Sequence, residues 1–225
     1  MKYRYAFKLG LYTSCAVLMG LGSVSASLSN KTAVHSHGPY KPAIVEVRAS
    51  SEVVQGAQNF IENVSARGLA FLQNASLSEK QQKREFDSLL KDSFDLKTIA
   101  RFTMGRYWRQ ATAPQKKEFL KLFQTMVIET YSQRFSEYQG QQIVIERARA
   151  EGDKDAIVNS KILSNNGAPD VKLDWRVRYK NGEYRIIDVL VEGVSMSLTQ
   201  RAEFSSIIQR GGGDIEALLV KLREK

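Results

Sequence analysis

At 225 residues the chain is long enough for one domain of ordinary size or two small ones. With 43% hydrophobic and 25% charged residues it has the make-up of a globular protein, which excludes disorder and a multi-span membrane protein. A formal charge of +9 raises nucleic acid as a partner, but the N-terminus argues against it.

"MKYRYAFK" holds Lys2, Arg4 and Lys8 with no acid, "LGLYTSCAVLMGLG" is apolar, and "SVSAS" is small. This order is that of a secretory signal peptide over residues 1–26, with Val24-Ser25-Ala26 as the cleavage triplet. The apolar run is shorter than the roughly 20 residues that span a bilayer, which disfavours an uncleaved anchor. Removing three cations leaves 9 − 3 = +6 on the mature chain. In an exported compartment no nucleic acid is expected, and anionic lipid surfaces are close. Cys15, the sole cysteine, falls within the signal, so the mature chain is expected to have no thiol, disulfide or acyl anchor.

Residues 27–42 are polar and broken by Gly and Pro, and read as a flexible leader. They contain His35 and His37, the only histidines. A histidine-based centre in the folded domain, residues 43–225, is thereby excluded, and no metal or cofactor is expected. From Ser51 to Asn74 the apolar positions recur at helical spacing. Ser78 with Gln81 forms a capping box that opens a second helix, and Asp95 caps a third carrying Phe102. Thr112, Pro114 and Gln115 open a fourth, expected to run to about Tyr138 with Phe123, Val127 and Tyr131 on a wide apolar stripe.

After Gly140 the period falls to two. "QIVIERARAE" and "DAIVNSKIL" read as strands joined near Gly152-Asp153. "VKLDWRVRYK" alternates cleanly, and Asn181-Gly182 predicts a type I′ hairpin into "EYRIIDVLVEGVSMSL". Counting back from that turn pairs Lys180 with Glu183, Tyr179 with Tyr184, Val177 with Ile186, Trp175 with Asp188 and Leu173 with Leu190. On this count Ile187, Val189 and Val191 lie on the sheet face opposite Trp175. Two helices separated by "GGG" close the chain. Helices, a meander of about four strands, then helices make an α+β fold, with helices packed on a curled antiparallel sheet.

Catalytic constellations are mostly missing. Ser195 in "GVSMS" is not a nucleophile elbow and has no base. Asp188 is the sharpest ionisable candidate: beside Trp175 it needs a donor such as the indole N–H, and it reads as a structural carboxylate or as a general base. In "GRYWRQ", Tyr107 and Trp108 sit between Arg106 and Arg109. They read either as core aromatics at a helix corner or as the mouth of an apolar cavity with cations for an anionic head group.

"FTMGRYWRQATAPQKKEFLKLFQTMVIETY", "VKLDWRVR" and "YRIIDVLVEGVSMSLTQRAEF" resemble the MlaC family of periplasmic phospholipid-binding proteins, also called the toluene-tolerance or ABC-transporter auxiliary family. The resemblance runs from about Ser51 to the C-terminus and is most specific at Gly105–Trp108 and over Asp188–Ser195. It implies a nuclear transport factor-like curved sheet with helices around it, enclosing an apolar pocket for acyl chains. It implies a periplasmic monomer, not an enzyme, that shuttles phospholipid between an outer-membrane lipoprotein–porin complex and an inner-membrane ABC transporter. A sister branch is associated with hopanoid lipids. The alternative of another class is an enzyme on the same scaffold with Asp188 as base. The pocket residues expected are Phe102, Tyr107, Trp108, Phe123, Val127, Tyr131, Trp175, Val177, Ile187, Val189, Val191, Met196 and Phe204. Arg106, Arg109, Arg176 and Arg178 are the cations expected at a head group or partner.

Overall fold

The computed structural model describes residues 44–165 and 167–224. The signal segment with Cys15 and the leader with His35 and His37 lie outside them. Five helices come first: α1 (Ile44–Gln73), α2 (Glu79–Ser93), α3 (Leu96–Met104), the single turn α4 (Tyr107–Gln110) and α5 (Ala113–Ser132). The strands are β1 (Gln142–Glu151), β2 (Asp155–Leu163), β3 (Val171–Lys180), β4 (Glu183–Val191) and the short β5 (Val194–Ser195). Helices α6 (Met196–Arg210) and α7 (Ile215–Arg223) end the chain.

The helix starts follow from local chemistry. Asp95 accepts from the Thr98 N–H at 2.9 Å, and Ser78 donates its backbone N–H to the Gln81 side chain at 2.8 Å. At α5 the exchange is reciprocal: Thr112 N–H donates to Gln115 Oε1 at 3.0 Å, and Gln115 N–H to Thr112 Oγ1 at 3.3 Å. Each such cap contributes about 1 kcal/mol. α5 stops at Ser132, short of the expected Tyr138, and a 3-10 turn over Phe135–Glu137 follows. That turn lets Phe135 swing back onto Phe71 and Phe86, with ring centroids 5.5 and 5.2 Å apart. A continuing helix would carry it past them.

The sheet is an antiparallel meander in the order β1-β2-β3-β4-β5. Asn181 and Gly182 both have positive φ, 54° and 83°, as a type I′ turn demands. From there the expected register holds through Val177↔Ile186. It then slips: Trp175 faces Val189, Arg176 faces Asp188 and Leu173 faces Val191. Ile187 is the extra residue of a β-bulge, which advances the rest of β4 by one and reverses its faces. Val189 and Val191 therefore share the face of Trp175 and Val177, and Asp188 turns away from the indole. A second two-residue turn, Glu192-Gly193, with φ of 50° and 79°, folds β5 back on β4 where one continuous strand was expected.

Two separate cores result. α1 lies across the four long strands and, with α2, buries Ala57, Ile61, Val64, Phe71 and Leu89 against Ala156, Val158, Val177 and Ile186. The second core is all helical: α3 to α7 enclose Met104, Tyr107, Phe119, Phe123, Phe204, Leu218 and Leu219. The helical layer reaches the sheet through β4, where Asp95 N–H donates to the Ile186 carbonyl at 3.0 Å.

Candidate functional site

The expected pocket residues distribute over the two cores and their margins. Tyr107, Phe123 and Phe204 are 4%, 3% and 1% exposed inside the helical core. Phe204 meets Phe119 and Phe123 edge-on at 5.7 and 6.3 Å, the geometry of packed aromatics. Trp108 and Val127 are half-buried on the margin of that core. Phe102 and Tyr131 are on the surface, at 40% and 44% exposure. In the sheet core Val177 is buried, while Trp175 and Val189 form its half-buried margin, next to Val191 on the same face. Ile187 occupies the bulge, and Met196 opens α6, each half-buried.

The polar residues are tied to structural duties. The Trp175 indole N–H donates to Ser160 Oγ at 3.0 Å, so Ser160 satisfies the indole where Asp188 was expected beside it. Asp188 accepts from Ser195 Oγ at 2.5 Å and from the backbone N–H groups of Val189 and Ser197 at 2.9 and 3.1 Å. It thus pins the start of α6 to β4. Ser195 is the N-cap of α6, accepting from the Leu198 N–H at 3.0 Å, a capping role where a nucleophile had been considered.

Arg176 and Arg178 both grip one buried carboxylate, Asp155. Arg176 donates from Nε and Nη2 at 3.1 and 2.9 Å, and Arg178 at 2.7 and 2.9 Å. Burial alone would raise the Asp155 carboxyl, but the guanidiniums of Arg178 and Arg176 outweigh it and hold it below the ordinary carboxylate range. Two cations expected at a head group are therefore committed to this acid. Arg106 donates to the Tyr107 hydroxyl at 2.9 Å, and that bond is the main reason the phenol titrates below its usual range. Arg109 is exposed. Nothing in "EGDKDAIV" marks Asp155 as buried, because an acid after a turn ordinarily faces water. Among the described residues no three His, Cys, Asp or Glu side chains gather as metal ligands.

Two concavities stand out, each of about 360 Å³, near the low end of small-ligand sites. One lies at the β3–β4 hairpin among Phe94, Lys97, Arg178 and Arg185, the other between α1 and α2 around Phe71 and Leu89. Neither is lined by the aromatics expected to hold acyl chains. Those residues instead supply half-buried apolar surface at the margin of each core.

The family model described as MlaC protein matches residues 62–224. The chain belongs to the MlaC family. Among curated relatives, a toluene tolerance protein ttg2D of Pseudomonas putida is 30% identical over 111 residues, 49% of this chain and 51% of that protein. The intermembrane phospholipid transport system binding protein MlaC of Haemophilus influenzae is 29% identical over 124 residues, 54% of this chain and 57% of that protein. The chain spans about half the length of these curated relatives. A solved structure, that of a phospholipid-binding protein from Ralstonia solanacearum in complex with a phospholipid, superposes with a TM-score of 0.65 at 25% identity. The likeness covers 75% of this chain and 95% of that one. The α+β fold expected of an MlaC protein is thus present. Among the described residues no helix is long and apolar enough to cross a membrane.

The glycine of "GRYW" has a structural cause here. Gly105 sits at φ +54° and ψ −127°, and a Cβ there would stand 2.8 Å from Arg201 Nε. Only glycine takes that backbone without strain and leaves room for the guanidinium. Arg201 lies over the Phe102 ring at 5.2 Å, so the segment docks α6 on α3.

Proposed function

We propose that the chain is a periplasmic phospholipid carrier, moving lipid between outer-membrane and inner-membrane transport complexes and so maintaining outer-membrane lipid asymmetry. Residues 1–26 would export it, residues 27–42 serve as leader, and the domain from residue 43 onward carry the cargo. The observation that carries the reading is the likeness, over 75% of this chain and 95% of the other, to a protein solved with phospholipid bound. The names of the curated relatives support intermembrane transport and a multi-component system.

The acyl chains belong in the seam between the two cores. Its margins would be Val127 and Trp108 on the helical side and Trp175, Val189 and Val191 on the sheet side, a reading supported by their half-burial at the edge of each core. The β-bulge at Ile187 is what brings the last two valines onto the indole's face. α2 and α5, which belong to different cores, meet through polar contacts: Gln124 donates to Asp87 at 2.8 Å, and Lys83 pairs with Glu129. Such half-exposed contacts are cheap to break, which lets the seam widen for tails. Two sixteen-carbon chains gain about 25 kcal/mol gross on leaving water, at about 0.8 kcal/mol per methylene. A bilayer already supplies most of that gain, so the seam need only match a membrane interior. Release into water is then slow, and unloading requires a partner with its own apolar environment. The carrier has no energy source, so direction comes from its partners.

Organic extraction of the purified protein followed by mass spectrometry tests the reading. The expected result is diacyl phospholipid in stoichiometric amount. Protein that yields no lipid, as expressed or after incubation with phospholipid vesicles, contradicts it.

A further inference from the structure

The segment from Leu96 to Lys117 contains Lys97, Arg101, Arg106, Arg109, Lys116 and Lys117 and no acid at all. In the folded chain none of the six makes an ion pair among the described residues, whereas five of the eight cations in the strands, Arg149, Lys161, Arg176, Arg178 and Arg185, do. The acids that flank the segment each have a partner, Asp95 within the concavity that Lys97 and Glu183 also line. Asp95 caps α3, and Glu118 is held by Arg223 at 2.7 Å.

Apolar side chains stand among these cations. Lys97 and Arg101, one turn apart, share a face of α3, and Phe102 next to them is 40% exposed. Arg201 of α6 covers the Phe102 ring at 5.2 Å and closes on Gly105, which puts Arg106 beside it. One turn before Arg201 on the same face of α6 is Leu198, at 57% the most exposed large hydrophobic residue described. The acid of that helix, Glu203, accepts from Gln200 at 2.9 Å and lies well round the helix from Arg201.

We infer that this face of α3 and α6 docks on an anionic lipid surface: Phe102 and Leu198 enter the head-group region while Lys97, Arg101, Arg106 and Arg201 meet its phosphates. Uncompensated cations around exposed apolar side chains are what a membrane interface selects. An acidic protein face would also cover Leu198 and Phe102, and the vesicle comparison below separates it from a lipid surface. The inference stands on charge and exposure and is independent of where the cargo is held.

Co-sedimentation with vesicles of equal parts phosphatidylglycerol and phosphatidylcholine, compared with pure phosphatidylcholine, tests it. The full chain should bind the anionic vesicles, lose that binding in high salt, and ignore the neutral ones. Lys97→Glu with Arg101→Glu should weaken binding by at least about tenfold, and Leu198→Ser should weaken it without altering its salt dependence. Arg147→Glu with Lys172→Glu, the same change of net charge on the sheet, should leave it within about twofold. Equal losses from the two double variants, or no vesicle binding by the wild type, overturn the inference; the latter result leaves the patch to an acidic protein partner. Bound lipid is extracted from each variant in parallel, and a carrier that retains its lipid while ignoring vesicles separates failure here from failure of the carrier reading.

Discussion

Gly105 and Asp155 show what single residues contribute. Gly105→Ala forces a Cβ into an unfavourable backbone region and against Arg201, and should lower stability by about 1–3 kcal/mol in denaturant unfolding. Asp155→Asn removes the charge that two guanidiniums share. Those guanidiniums are about 40% exposed, so solvent screening holds the expected loss to about 1–2 kcal/mol at neutral pH. The Asp155 carboxyl titrates lower in the folded than in the unfolded state. Its contribution is therefore complete above the unfolded-state value near 4 and is lost as pH falls through the lower folded value. Unfolding at a series of pH values should show the gap between wild type and Asp155→Asn constant above about pH 5 and closing below about pH 4. The sequence displays Gly105 as part of a motif, yet its reason, the approach of Arg201 from nearly a hundred residues away, exists only in the fold. Asp155 carries no local mark, because burial of an acid is decided by the strands on either side of it.

At the scale of elements, what short-range chemistry dictates is readable and what one extra residue changes is not. The capped helix starts and the Asn181-Gly182 hairpin lie where spacing places them, since each depends on residues within one turn. The β4 bulge has no compositional sign inside "RIIDVLV", where apolar residues stand on both sides of Asp188 without alternation. A hint was present: strict alternation set Asp188 against the Trp175 indole on an apolar face, an arrangement that costs free energy and that the bulge removes. Deleting Ile187 preserves every pairing partner and face, so that variant should fold, and its circular dichroism should match wild type. Inserting an alanine after Asp188 turns Val189 and Val191 to the polar face and should leave insoluble or unfolded protein.

The whole molecule is organised by two cores, one between α1, α2 and the sheet and one among the C-terminal helices and α3–α5, and the spacing of apolar residues does not show this division. Aromatic residues at helical spacing look the same whether they fill a core, as Phe123 and Phe204 do, or lie on its margin, as Trp108 does. Which of them touches cargo is a property of how far apart the layers stand. If the α2–α5 contact is a weak latch, Glu129→Ala should change stability by no more than about 1 kcal/mol and yet speed the loss of bound lipid to acceptor vesicles. The most direct test of the seam is photo-cross-linking of lipid-loaded protein, with a benzophenone side chain placed at Val189 or Val127 and, for comparison, at Lys172 on the opposite sheet face. The account predicts lipid adducts by mass spectrometry from the first two positions and none from Lys172. Adducts from Lys172 alone, or from none of the three in protein that demonstrably holds lipid, would contradict it.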